Sequence, residues 1–150
     1  DYIIHPQSVI HSMVQFVDGS ILAQMSKTTM ELPILIALSY PERLHANNYE
    51  FDFDKSLTFL PPREDIFILP KLAKLSLIEG KNAPCTLNAA NEAAVQLFLD
   101  RKIAFTDIQK IVQSVMENAK FYNLNTCDDI LKTHCRTYDY VMKDYKEIIS

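Results

Sequence analysis

Residues 1–25 read DYIIHPQSVIHSMVQFVDGSILAQM, and the Asp18-Gly19 pair within them decides how this stretch folds. Asp and Gly accept the positive φ that a type I′ turn needs, so residues 12–17 and 20–25 are expected to pair as an antiparallel hairpin. Ahead of it, Tyr2-Ile3-Ile4 has strand character from the first residues, with no initiator methionine and no polar lead-in. His5 and His11 stand on either side of a Pro6-Gln7-Ser8 bend. A lone hairpin is marginal in water. This one needs a sheet to join, and no later stretch supplies one. The segment therefore reads as one side of a site whose other walls belong to polypeptide outside these residues.

Composition narrows the class. The chain has 150 residues, 48% hydrophobic and 23% charged, which is ordinary for a folded globular protein. Its formal net charge is −4, with lysine and arginine scattered, so neither nucleic acid nor an anionic membrane is an expected partner. The longest apolar stretch, residues 32–38, contains Pro33 and is too short to cross a bilayer. No signal-peptide pattern opens the chain, and the expected setting is a reducing cytoplasm. Glycine occurs only at Gly19 and Gly80, so these residues hold neither a GxGxxG dinucleotide loop nor a P-loop. Cys127 and Cys135 lie about 12 Å apart along one expected helix, too far for a disulfide. Without a CxxC pair, and with His134 and Cys135 pointing about 100° apart, a zinc site there is not expected.

Beyond the hairpin, residues 31–39 (ELPILIALS) read as a short buried helix that stops before Pro41. Periodicity then vanishes to about residue 65. Asn47-Asn48, the FDFD run at 51–54 and Pro61-Pro62 have linker character, with a short strand or extended contact at Leu57-Thr58-Phe59. Helical patterning follows. Residues 70–79 carry Pro70 in the first turn and Gly80 just past the end. Residues 85–100 are alanine-rich, with Leu87, Ala90, Asn91, Ala94, Val95 and Phe98 on one expected face. Thr106-Asp107-Ile108-Gln109 has the form of a capping box, so loss of Thr106 should cost about 1 kcal/mol. Ile108, Ile111, Val112, Val115, Met116 and Ala119 recur at helical spacing after it. Residues 128–149 repeat the pattern from Ile130 and Leu131 through His134, Tyr138, Val141 and Tyr145. The expected class is α+β: a hairpin unit over 1–39, a linker over 40–65 and a four-helix bundle over 66–150.

Four blocks of sequence resemble one enzyme family. They are Ile4-His5-Pro6-Gln7-Ser8 with His11-Ser12-Met13-Val14 and Asp18-Gly19-Ser20; Tyr40-Pro41-Glu42-Arg43-Leu44; Leu87-Asn88-Ala89-Ala90-Asn91-Glu92; and Phe105-Thr106-Asp107-Ile108. In this order they are similar to the 1-deoxy-D-xylulose-5-phosphate reductoisomerase family. The resemblance implies the end of a mixed-sheet central catalytic domain, then a linker and a C-terminal helical domain. It further implies conversion of 1-deoxy-D-xylulose 5-phosphate to 2-C-methyl-D-erythritol 4-phosphate, in the non-mevalonate isoprenoid route. NADPH and a divalent metal (Mg²⁺, Mn²⁺ or Co²⁺) serve that reaction, and both would bind upstream of residue 1. This stretch alone is then expected to be inactive, with no catalytic, cofactor or metal residue of its own.

Carried over position by position, the resemblance implies three residues bordering a sugar-phosphate substrate: His11, Met30 on a loop that helps wall the site, and Ser8. The sequence departs from the family where Thr28-Thr29-Met30 replaces Pro-Asp-Met and where Ser26 stands at a frequent glycine. A homodimer is also implied, and an unpaired hairpin edge gives it a physical basis. His5 is expected to be a structural hydrogen-bonding residue, and Met13 and Met25 core. Asn91, on the apolar face with Asn88 and Glu92 nearby, is expected in a buried hydrogen-bond network. Two other classes compete: a non-catalytic helical interaction module, and a small metal-binding regulator using His5, His11 and the cysteines.

Overall fold

The structure, a computed structural model, describes residues 1–45, 54 and 56–149. Two compact units divide the chain, residues 1–62 and 63–150. The described residues hold two strands and five helices, which is an α+β composition. One helix belongs to the first unit and four to the second.

In the first unit β1 (Ile10–Gln15) and β2 (Ile21–Met25) form a two-stranded antiparallel sheet, shorter at the turn end than residues 12–17 and 20–25 would give. The turn differs from the expected two-residue type. Gly19 N–H donates to Phe16 O at 3.0 Å and Phe16 N–H to Ser20 O at 2.9 Å, closing a three-residue loop. Gly19 takes φ 87° while Asp18 does not turn positive, the signature of a type I turn followed by a glycine bulge. Asp18 contributes through its side chain instead, where Oδ1 accepts the Ser20 N–H at 2.8 Å and the Ser20 hydroxyl at 2.6 Å. The Ser20 hydroxyl first, then its N–H, holds the Asp18 carboxyl below the usual range.

Tyr2-Ile3-Ile4 forms no full strand. Ile4 makes a single antiparallel bridge to Leu60, with bonds of 3.1 and 2.9 Å. The bridge falls at Leu60, one residue past the extended contact expected at 57–59. Helix α1 (Glu31–Ser39) has its expected limits, with Pro33 in the first turn where no helical N–H is lost. It is not buried. Ile34 is 52% and Leu38 82% exposed, and Met13 and Met25 are likewise surface residues rather than core. Most of the FDFD run and Asn47-Asn48 lie outside the described residues.

The second unit packs α2 (Leu69–Glu79), α4 (Phe105–Asn118) and α5 (Cys127–Ile148) around α3 (Ala83–Leu99). Alanine explains the central place of α3. Ala90, Ala93 and Ala94 are fully buried beside Leu97, and their small side chains let neighbouring helices approach closely. Ile108, Ile111, Val112 and Val115 of α4 and Val141 of α5 complete the core. The buried face of α3 runs through Ala89, Ala93 and Leu97, not through Phe98, which turns outward to meet Phe105 edge-on at 5.7 Å.

Helix ends follow local chemistry. Gly80 closes α2 at φ 67° with its N–H on Ser76 O, as its position past the last turn implies. Helix α3 ends with Arg101 at φ 59°, Arg101 N–H on Phe98 O and Lys102 N–H on Leu97 O; an arginine stands where glycine is usual. The expected cap at Thr106 is misplaced by two residues. Ala104 precedes α4, and the Asp107 carboxylate reaches back to its N–H at 3.0 Å. Alanine has no oxygen to return the bond, so only half of a capping box exists. The complete box lies at α5, where Thr126 Oγ1 accepts the Asp129 N–H and Asp129 accepts the Thr126 N–H, both at 3.1 Å. The inward face of α5 begins at Thr133, leaving Ile130 and Leu131 exposed.

Candidate functional site

The ladder of the hairpin is irregular at one place. Ile10 pairs with Met25 and Ser12 with Gln24, so His11 is an extra residue with no partner across the strand. Such a bulge bends the strand and re-aims its side chain. The His11 ring turns toward the segment that follows β2, with Nε2 3.3 Å from Lys27 O. A carbonyl only accepts, so Nε2 carries the proton in this contact, and a neutral ring keeps Nδ1 free as an acceptor.

Ser8 is held against the same segment. Thr28 Oγ1 donates to Ser8 O at 3.0 Å, and Ser26 N–H donates to Val9 O at 3.0 Å. Ser8 adopts φ 51°, a left-handed conformation that costs a non-glycine residue about 1–2 kcal/mol. Strain of this kind gathers at functional positions. Among the described residues, the Ser8 hydroxyl has no hydrogen-bond partner. Met30, two residues past Thr28, ends this segment at the N-cap of α1 and is 70% exposed. The fold thus brings Ser8 and His11 to the segment leading into Met30.

A concavity of about 550 Å³ opens beside the bulge, lined by Tyr2, His5, His11, Met13, Ile21 and Phe59 among others. Ser8 and Met30 do not line it. His5 anchors its back. Nδ1 meets Thr58 O at 2.8 Å, the ring stacks on Phe59 at 5.0 Å, and the buried Nε2 finds no partner among the described residues. Gln7 supports this by donating to Thr58 Oγ1 at 2.7 Å. The structural role expected for His5 accounts for one ring nitrogen and leaves the other unexplained. No group of three or more His, Cys, Asp or Glu able to hold a metal comes together among the described residues.

Sequence reasoning places a buried amide network at Asn91, and the fold puts it elsewhere. Asn88 and Glu92 are exposed and Asn91 is half-buried, while Glu92 lies 3.7 Å from His134. The buried amide is Asn82, 2% exposed just before α3. Its Nδ2 donates to Lys120 O at 3.3 Å and its Oδ1 accepts the Tyr122 N–H at 2.9 Å. The Tyr122 hydroxyl then meets Thr133 Oγ1 at 2.9 Å. An Asn ahead of Pro84 has the appearance of an ordinary helix cap, which hides this long-range role. All three cysteines are free, with Cys127 and Cys135 exposed and Cys85 half-buried, where desolvation pushes its thiol pKa up.

Comparisons with known proteins agree on one family. The pattern of the DXP reductoisomerase C-terminal domain matches residues 25–140. The 1-deoxy-D-xylulose 5-phosphate reductoisomerase of Ruminiclostridium cellulolyticum is 45% identical over 138 residues, covering 89% of this chain and 35% of that protein. That of Haemophilus influenzae is 45% identical over 134 residues, 88% of this chain and 34% of its own length. Among solved structures, the Zymomonas mobilis reductoisomerase in complex with NADPH superposes with a TM-score of 0.84 at 37% identity, over 93% of this chain and 38% of that one. A DOX-P reductoisomerase in complex with NADPH, fosmidomycin and magnesium gives 0.83 at 38% identity, over 98% of this chain and 38% of that one. The chain spans roughly a third of the length of the relatives it matches. Within that span it belongs to the 1-deoxy-D-xylulose 5-phosphate reductoisomerase family, as its C-terminal portion.

Proposed function

We propose that these residues serve an NADPH- and metal-dependent reductoisomerase acting on 1-deoxy-D-xylulose 5-phosphate, and that the hairpin unit supplies one wall of its substrate site. The bulge at His11 carries the reading, since it spends a ladder position to turn one imidazole toward the segment ahead of Met30. In this reading residues 1–39 end the catalytic domain, 40–65 link, and 66–150 form the C-terminal helical domain. His11 offers Nδ1 to a substrate hydroxyl, or both ring nitrogens as donors to a phosphate when protonated. The unpartnered Ser8 hydroxyl offers a neutral donor beside it, and Met30 excludes water from one side.

The described residues bring together no metal-ligand cluster, and the chain's two glycines allow no dinucleotide loop. In this reading the groups supplying Lewis acidity and hydride are held by residues other than these, and the stretch alone is inactive. The exposed hairpin edge supports a homodimer in the complete enzyme. A cytoplasmic setting belongs to the same reading; no helix among the described residues is long and apolar enough to cross a membrane.

The test is His11→Ala in the complete enzyme. Losing one hydrogen-bonded contact in the site predicts a kcat/KM lowered by about 10–100-fold with an unchanged unfolding temperature. Wild-type kinetics would remove His11 from the site.

A further inference from the structure

A second concavity, about 450 Å³, lies wholly within the helical unit, between the start of α3, the end of α4, residues 119–122 and α5. Its charge is one-sided. Lys120 and Arg136 line it and no carboxylate does, although the chain carries 19 acidic residues against 15 basic ones. Of the acids close by in sequence, Asp128 pairs with Lys132, Asp129 holds the α5 cap and Glu117 accepts from Gln113, while Asp139, three residues past Arg136, is exposed and does not line the concavity. Among the described residues neither Lys120 nor Arg136 has a carboxylate partner, whereas Lys81, Lys102, Lys110 and Lys132 each have one.

The hydroxyls make the same point from inside. Three helical hydroxyl residues are buried: Ser76, Thr86 and Thr133. Ser76 Oγ donates to Ala73 O and Thr133 Oγ1 to Asp129 O, each at 2.8 Å. Thr86, 5% exposed, makes no such bond among the described residues, and it lines the concavity. The fully buried side-chain polar atom left unpaired among the described residues is His5 Nε2, so the Thr86 hydroxyl opens onto the concavity and can meet a partner there. The wall around it is pre-set by the Asn82–Tyr122–Thr133 bonds, and Val115 and Ala119 add apolar surface.

We propose that this concavity binds a small phosphate ester carrying a compact apolar group. Arg136 and Lys120 take the phosphate, Thr86 pairs with an oxygen, and the apolar group lies on Val115 and Ala119. Arginine and hydroxyl donors are the usual receptors for phosphate oxygens.

Phenyl phosphate titrated into the isotopically labelled full chain at constant ionic strength tests this. Saturable amide shifts are expected at Thr86, Lys120, Thr137 and Tyr140, with inorganic phosphate binding more weakly. Arg136→Ala, a surface change, should weaken binding about 10-fold or more. Thr86→Val should also weaken it while leaving the unfolding temperature equal or higher, which a structural hydroxyl would not do. Shifts that never saturate, that ignore Arg136→Ala, or that are matched in strength by inorganic phosphate alone would each overturn the proposal.

Discussion

The two units of this chain treat apolar residues in opposite ways. In the helical unit, alanine, leucine, isoleucine and valine interlock into a core whose central members are fully buried. In the hairpin unit no described residue is buried, although Tyr2, Ile3, Ile4, Val14, Phe16, Leu22 and Ile34 are all large and apolar. Composition is similar; geometry differs. Four helices can enclose one another, whereas a two-stranded ribbon has two faces and nothing among the described residues of its own unit to cover either. An apolar face of this extent marks a surface made for contact. Stability therefore resides in one unit and the candidate site in the other, an arrangement in which the contact-forming part is drawn from the low-stability end.

Native-state hydrogen exchange would show the largest contrast. Amides of α3 and α4 should exchange only through global opening, and those of β1 and β2 through local opening several orders of magnitude faster. Equal protection would break the comparison. Single substitutions sharpen it. Leu97→Ala should destabilise by about 2–5 kcal/mol in denaturant unfolding, whereas the exposed Val14→Ala should stay within about 0.5 kcal/mol. Next in size is Asn82→Ala, which strands the Tyr122 N–H and Lys120 O and should cost about 1–3 kcal/mol in the same measurement.

The smallest effect concerns the α5 cap and depends on pH. The Asn125 N–H first, then the Thr126 hydroxyl, holds the Asp129 carboxyl below its ordinary value. A carboxyl lowered in the folded state adds stability above its unfolded pKa of about 3.9 and forfeits it as pH falls through the lower native value. The unfolding temperature of the wild type should then fall more between pH 6 and pH 3 than that of Asp129→Ala. Parallel falls would dismiss the cap.

Much of this architecture is legible in the residues. Glycine past a helix end, proline in a first turn and a 3.6-residue apolar repeat act through local sterics, so α1, α2 and the body of α4 and α5 follow from them. The hairpin follows for the same reason. What escapes is decided across distance. Asn82 is satisfied by Lys120 and Tyr122, some forty residues away, and no local pattern announces that. The face of α3 slips by one position because an alanine-rich helix is apolar nearly all round, leaving tertiary packing to choose. Thr106 has the look of a cap and is not one, because Asp107 satisfies the preceding N–H by itself. For the candidate site, the histidines and Ser8 are visible as residue types, while the bulge that aims one of them depends on the register with β2.

That irregularity also sets how the ribbon responds to insertions and deletions. Cross-strand partners share a face, so Ile10 and Ser12, two apart in β1 but paired with adjacent residues of β2, lie on opposite faces, and the period of two breaks at His11. Deleting one residue here would restore an unbroken ladder and leave the composition nearly unchanged. Ile10 and Ser12 would keep their partners and their faces, and only the turned imidazole would be lost. The extra residue thus serves the aim of one side chain rather than the pairing of the ribbon.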